Sequence, residues 1–149
     1  PVVLPATDRR AQTRSAPASR LGTPCSELVI DDDELVRTQL RRILELRGYK
    51  VRAACDGLSG VAAQLESPAD LLVIDMTMPD IDGVEVVRRI RASGSQVAIV
   101  LSSGYQAQTA AERLEPGAFQ VFLPKPYGMN ELFGALEAAR AMASRSRSG

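Results

Sequence analysis

Short apolar runs and longer amphipathic stretches take turns along this chain. Residues 71–74, Leu-Leu-Val-Ile, are four apolar residues with branched side chains, and they suit a strand buried on both faces. Similar runs open at Leu28-Val29-Ile30, Ala98-Ile99-Val100-Leu101 and Val121-Phe122-Leu123. After the first of them, Val36, Leu40, Ile43 and Leu44 follow the i, i+4, i+7, i+8 spacing of one buried helix face. The pattern predicts strands over about 28–31, 49–54, 70–75, 97–102 and 120–123. It predicts helices over about 34–47, 57–66, 84–92, 106–114 and 129–142. The punctuation agrees. Gly48 suits the position just past the first helix, Asp56 suits the N-cap of the second, and Pro68 follows its end. The stretch 106–114 is rich in Gln and Ala and has few large apolar anchors, whereas Leu132, Phe133, Leu136 and Ala139 share one face of the last helix. Strict alternation of strand and helix calls for an α/β fold, a doubly wound five-stranded parallel sheet with helices on both faces. Alternation alone leaves the strand order open.

The flanks differ from this middle. Residues 7–24 are rich in Ala, Arg, Ser, Thr and Pro and show neither period, so they read as a linker. The expected organisation is a linker over 1–26, one domain over 27–142 and a flexible tail over 143–149. A chain of 149 residues with 45% hydrophobic content has room for one ordinary core.

The formal net charge of zero hides an asymmetry. Residues 1–26 carry four Arg against one Asp, residues 140–149 carry three Arg and no acid, and 27–139 carry a net charge of −6. An acidic folded part argues against nucleic-acid binding. No apolar stretch approaches the ~18 residues a membrane span needs. The two cysteines, Cys25 and Cys55, have no metal-site spacing and suit a reducing cytoplasm. Histidine is absent, which excludes a Ser-His-Asp hydrolase or a His-ligated zinc site and places any phosphohistidine donor elsewhere.

The residues that can do chemistry sit just past the apolar runs. The first run ends in Asp31-Asp32-Asp33-Glu34, and the third ends on Asp75 before the turn residues Pro79 and Asp82-Gly83. In an open α/β sheet, ligands gather at the carboxyl ends of the strands. If the two strands are neighbours, Asp31, Asp32 and Asp75 converge, which is costly unless a cation joins them. A hard divalent ion such as Mg2+ suits such a set, because it takes few protein carboxylates and keeps several waters. The fourth run ends in Ser102-Ser103-Gly104 and the fifth in Lys125-Pro126, where Lys125 is one of only two lysines in the chain. A metal, a cation and a hydroxyl are what a transferring phosphoryl group needs.

These residues resemble the response-regulator receiver domain with the CheY-like fold, over about 27–139. The family carries an acidic pair after its first strand, a phospho-accepting Asp after the third, Ser or Thr after the fourth and Lys-Pro after the fifth. Here these read Asp31-Asp32, Asp75, Ser103 and Lys125-Pro126, and Asp75-Met76-Thr77-Met78-Pro79 with Asp82-Gly83 matches closely. The resemblance implies the flavodoxin-like strand order 2-1-3-4-5, with the crevice beside strands one and three. It implies Asp75 as the nucleophile that takes a phosphoryl group from phosphohistidine. Asp32 would be a direct Mg2+ ligand, Asp31 would hold a metal-bound water, and the Thr77 carbonyl would be a further ligand. Asp33 and Glu34 read instead as helix N-terminal acids. Ser103 would be the switch hydroxyl, preferred over Ser102 because the small Gly104 follows it. Phe122 would be the switch aromatic, Lys125 would pair with the phosphoryl group or Asp75, and Lys125-Pro126 is a candidate cis peptide.

The implied function is a phosphoacceptor module that catalyses its own aspartyl phosphorylation and dephosphorylation. Its partners would be a histidine kinase or histidine phosphotransfer protein, in cis or trans, and a downstream protein, with no nucleic acid and no membrane contact. A phosphohydrolase of the haloacid-dehalogenase type needs a second Asp two residues after its nucleophile, and that position is Thr77. A phosphorylation-silent receiver usually lacks a key residue, and none is missing. Thr77 and Tyr105 flank the expected approach of hydrolytic water, and neither is an acid or amide that would orient it, so a long-lived phosphoaspartate is expected. The run Val2-Val3-Leu4-Pro5-Ala6 resembles the last strand of a histidine-kinase ATP-binding domain, and no effector is expected after the last helix. The expected context is the C-terminal receiver of a hybrid histidine kinase.

Overall fold

The computed structural model describes residues 25–104 and 111–148. Its elements run β1 (Ser26–Ile30), α1 (Glu34–Leu46), β2 (Lys50–Ala54), α2 (Gly57–Glu66), β3 (Leu71–Asp75), α3 (Gly83–Ala92), β4 (Ala98–Ser103), β5 (Val121–Pro124) and α4 (Met129–Ser148). The five strands form one parallel sheet in the order β2-β1-β3-β4-β5. This is the doubly wound, flavodoxin-like order expected from the sequence. β3 lies at its centre, and all five of its residues are buried.

Two cores explain why both sides of the strands are apolar. Leu28, Ile30, Leu72, Ile74, Ile99 and Leu101 face Val61 of α2 and Val84, Val87 and Ile90 of α3. Val29, Leu71, Val73 and Val100 face Leu40 and Leu44 of α1 and Leu132, Leu136 and Ala139 of α4. Alternate residues of one strand therefore serve opposite helix layers. Each fully buried Leu or Ile stabilises the fold by roughly 1.5–3 kcal/mol relative to exposure.

The helix ends follow the sequence signals. Asp33 caps α1, accepting from Leu35 N at 2.9 Å and Val36 N at 3.4 Å. Asp56 caps α2 through Ser59 N at 2.8 Å, as expected, and Asp82 caps α3 through Glu85 N at 2.9 Å. Gly48 ends α1 with φ +92°, a left-handed conformation that favours glycine.

Two expectations meet the structure differently. The helix expected at 106–114 falls mostly outside the described residues. Of its described end, Ala111 and Leu114 are buried in the α2–α3 core. The last helix does not stop at 142 before a flexible tail; α4 continues to Ser148. The reason is small but specific. Ala143 extends the buried stripe of Leu132, Leu136 and Ala139 by one more turn and is 2% exposed. A search for large apolar side chains passes over an alanine, and the Ser/Arg alternation beyond it reads as a tail.

Candidate functional site

Parallel register brings the chemistry to one edge. Ile30 is level with Ile74, Asp75 with Ser102, and Ser103 with Pro124. The residues after β1, at the ends of β3 and β4, and after β5 therefore share one rim. Carboxylate oxygens of Asp31, Asp32 and Asp75 lie within 4.8 Å of one another. Asp31 and Asp75 are buried and Asp32 is exposed. Lys125 Nζ stands 3.4 Å from Asp31 Oδ2 and 3.5 Å from Asp75 Oδ1. The Lys125-Pro126 peptide is cis.

Further bonds hold Asp31 in place. Its Oδ1 accepts from Asp33 N at 2.9 Å, and its backbone carbonyl accepts from Arg37 Nη1 at 2.7 Å. Arg37 was not singled out from the sequence. On α1 it looks like one more arginine of a solvated face, and only the turn of the helix over the crevice brings it back to Asp31.

The electrostatics are strained. Burial, then the neighbouring Asp31, pushes the Asp75 pKa up to about 6, against the opposing pull of Lys125 and the Thr77 backbone N–H. Burial works against the Lys125 ammonium, yet Asp75 and Asp31 outweigh it and hold its pKa above the ordinary value. One ammonium thus pairs with two of the three clustered carboxylates. An all-oxygen donor set with excess negative charge fits a hard divalent cation.

The remaining candidates divide. Ser103 Oγ lies 3.3 Å from Thr77 Oγ1, which joins the end of β4 to the loop after β3. Ser102 is 2% exposed. Phe122 is half-buried and packs on the α2–α3 core rather than on the carboxylates. Tyr105 lies outside the described residues. Glu27, which drew no notice in the sequence, is fully buried on β1 and neither carboxylate oxygen has a hydrogen-bond partner. An acid inside an apolar strand pattern was the signal.

Two hollows flank the sheet. Val36, Leu40, Ile43, Pro126, Tyr127 and Leu132 line a largely apolar groove of about 620 Å³ that reaches Lys125. A larger one, about 930 Å³, lies at the amino ends of the strands, among Cys25, Asp70, Gln96 and Arg140, and is remote from the carboxylates. Among the described residues, no helix is long and apolar enough to cross a membrane.

The family model for the response regulator receiver domain matches residues 28–137. The chain is 38% identical over 112 residues to response regulator MprA of Mycobacterium avium (strain 104), covering 74% of this chain and 49% of that protein. It therefore spans about half the length of that curated relative. The fold is similar to a response regulator receiver domain protein from Clostridium thermocellum, with TM-score 0.74, 24% identity, and 80% of this chain and 97% of that one covered. It is also similar to the Vibrio cholerae chemotaxis protein CheY4, with TM-score 0.72, 22% identity, and 77% and 98% covered. The strand-end carboxylates, the hydroxyls and Lys125 stand in a chain that belongs to the response regulator receiver domain family.

Proposed function

We propose that this receiver domain accepts a phosphoryl group on Asp75 from the phosphohistidine of a histidine kinase or histidine phosphotransfer protein. The observation that carries the reading is the Lys125 ammonium within 3.5 Å of both Asp31 and Asp75, inside a cluster of three carboxylates. An Asp75 oxygen attacks phosphorus, the phosphorus–nitrogen bond breaks, and the imidazole departs with its electron pair. The product is an acyl phosphate. Mg2+, when bound, neutralises charge on the transferring group. Asp32 and Asp75 would be direct ligands, Asp31 would hold a metal-bound water, and the Thr77 carbonyl would complete the protein's share. Lys125 leaves its pairing with Asp75 for a phosphoryl oxygen. Ser103 gives up its contact with Thr77 to donate to another, and Phe122 moves with it as the second switch residue.

Hydrolysis is slow in this reading, since neither Thr77 nor Tyr105 orients a water. The apolar groove beside Lys125 suits the donor's helical surface, and the −6 charge of 27–139 disfavours nucleic acid. Cys25 and Cys55 are free, in keeping with a reducing cytoplasm. The kinase-like run at 2–6 supports a hybrid histidine kinase as the parent protein. The curated relative, of which the match covers 49%, supports a second reading, a receiver within a longer response regulator. Reading the genomic frame on both sides of the chain decides between them.

The decisive experiment is mass spectrometry after incubation with acetyl phosphate and Mg2+. One phosphoryl adduct is expected, absent from Asp75→Asn and absent when EDTA removes the metal. Asp32→Ala should raise the Mg2+ concentration needed. Robust labelling of Asp75→Asn would overturn the assignment.

A further inference from the structure

The loop between β3 and α3 carries Thr77, and it is pinned at its base. Met76 N donates to Ser102 O at 2.9 Å, and Gly83 N donates to Met76 O at 2.9 Å. Between these two anchors residues 77–82 bulge outward from the end of the sheet. Met78 and Ile81 pack back on the α2–α3 core, and the polar tip between them is held from outside. Asp80 Oδ1 accepts from Gly57 N at 3.0 Å and Asp80 Oδ2 from Leu58 N at 2.8 Å. These are the first two amides of α2, which lack partners within their own helix. The Leu58 N–H first, and the Gly57 N–H with it, hold the Asp80 carboxyl below the usual range. Ile81 closes the junction: a Cβ on Gly57 would come within 2.5 Å of Ile81 Cγ1. The α2 terminus therefore has two carboxylates with different tasks. Asp56 caps it locally through Ser59 N, and Asp80 reaches it from a loop 22 residues away in sequence.

We propose that Asp80 is a positioning residue for the metal and phosphoryl site. By docking on the Gly57 and Leu58 amides it fixes the tip of the loop whose base presents Thr77 to Asp75. The inference rests on the phosphoacceptor reading, because it takes the Thr77 carbonyl as a ligand. Asp80 itself touches neither the metal nor the phosphoryl group. Undocking leaves only the packing of Met78 and Ile81 to hold the loop, and it lets the Thr77 carbonyl and N–H sample orientations turned away from the crevice. Residues that orient a metal ligand from behind typically change affinity by about 10- to 100-fold when removed.

Asp56 provides the control, since it stabilises the same helix end without touching the loop. Mg2+ titration calorimetry, thermal melts and acetyl phosphate kinetics would be run on the wild type, Asp80→Ala, Asp80→Asn and Asp56→Ala. Both alanine variants should melt lower. Asp80→Ala alone should raise the Mg2+ dissociation constant about 10-fold. Asp80→Asn keeps one acceptor oxygen and should fall between Asp80→Ala and the wild type, which also covers the case in which Asp80→Ala folds poorly. Amide exchange at Thr77 in metal-free protein should quicken in Asp80→Ala and stay unchanged in Asp56→Ala. Equal Mg2+ affinities in Asp80→Ala and Asp56→Ala, with a wild type that binds Mg2+ and labels normally, overturn the positioning role and leave the phosphoacceptor reading intact. A wild type that neither binds Mg2+ nor labels overturns both.

Discussion

The Lys125 ammonium stands 3.5 Å from the Asp75 carboxylate, although 50 residues separate them and Asp75 is buried. That pairing keeps the proposed nucleophile anionic in a place where burial and Asp31 favour its protonation. It also puts a cation where phosphoryl oxygens would arrive. Lys125→Met should therefore fold and still bind Mg2+, yet label with acetyl phosphate about 100-fold more slowly, as the loss of one preorganised charge costs elsewhere. Intact-mass time courses check this. A rate near that of the wild type would remove Lys125 from the mechanism.

A second outcome concerns Glu27, far from that chemistry. Burial pushes its pKa up to about 8, and no partner satisfies its oxygens. Its neighbours do not rescue it. Burial also pushes the Cys25 thiol up to about 11 and raises the Tyr49 phenol. Arg140 opposes both of those shifts, with a hydrogen bond to the phenol. Between an unfolded value of about 4.5 and the folded value of about 8, the folded chain holds a proton that the unfolded chain has released. Stability should fall as pH rises through that window and level off above it, by up to about 1.4 kcal/mol per pH unit. Denaturant melts between pH 5 and pH 9 read this slope. Glu27→Gln should flatten it, and Glu27→Leu should flatten it and raise stability throughout.

The lifetime of the phosphorylated form tests the residues around the expected water path. Thr77→Asn places an amide there and should change the decay rate without altering the Mg2+ requirement. Tyr105→Ala should speed decay if the ring shields the phosphoryl group. A decay rate unchanged in both variants would show that neither side chain controls water access.

The end of α4 provides a test of the fold. Ala143 is 2% exposed against the α1–α4 core, so Ala143→Glu should cost about 1–3 kcal/mol by burying an unpaired polar group. Ala141→Glu, two residues earlier and exposed, serves as the comparison and should change little. Equal melting temperatures for the two would mean that the last turns of α4 carry no weight.

Much of this protein was legible in one dimension. Apolar runs of strand length, amphipathic stretches between them and the punctuation at Gly48, Asp56 and Asp82 are local features, set by side-chain chemistry within a few residues. They place Asp31, Asp75, Ser103 and Lys125 at strand ends, because a buried parallel strand must stop where its polar residues begin. The order β2-β1-β3-β4-β5 came only with the resemblance, since alternation is the same in every order. The tertiary structure decided the rest. It alone shows that Arg37 turns back to Asp31, that Asp80 docks on a helix 22 residues earlier, and that Glu27 is sealed without a partner. It also shows that Ala143 is core while its neighbours are surface. Each of these depends on distances between segments remote in sequence. Spacing along a chain reports which face a residue shares with its neighbours, and only packing determines what that face meets.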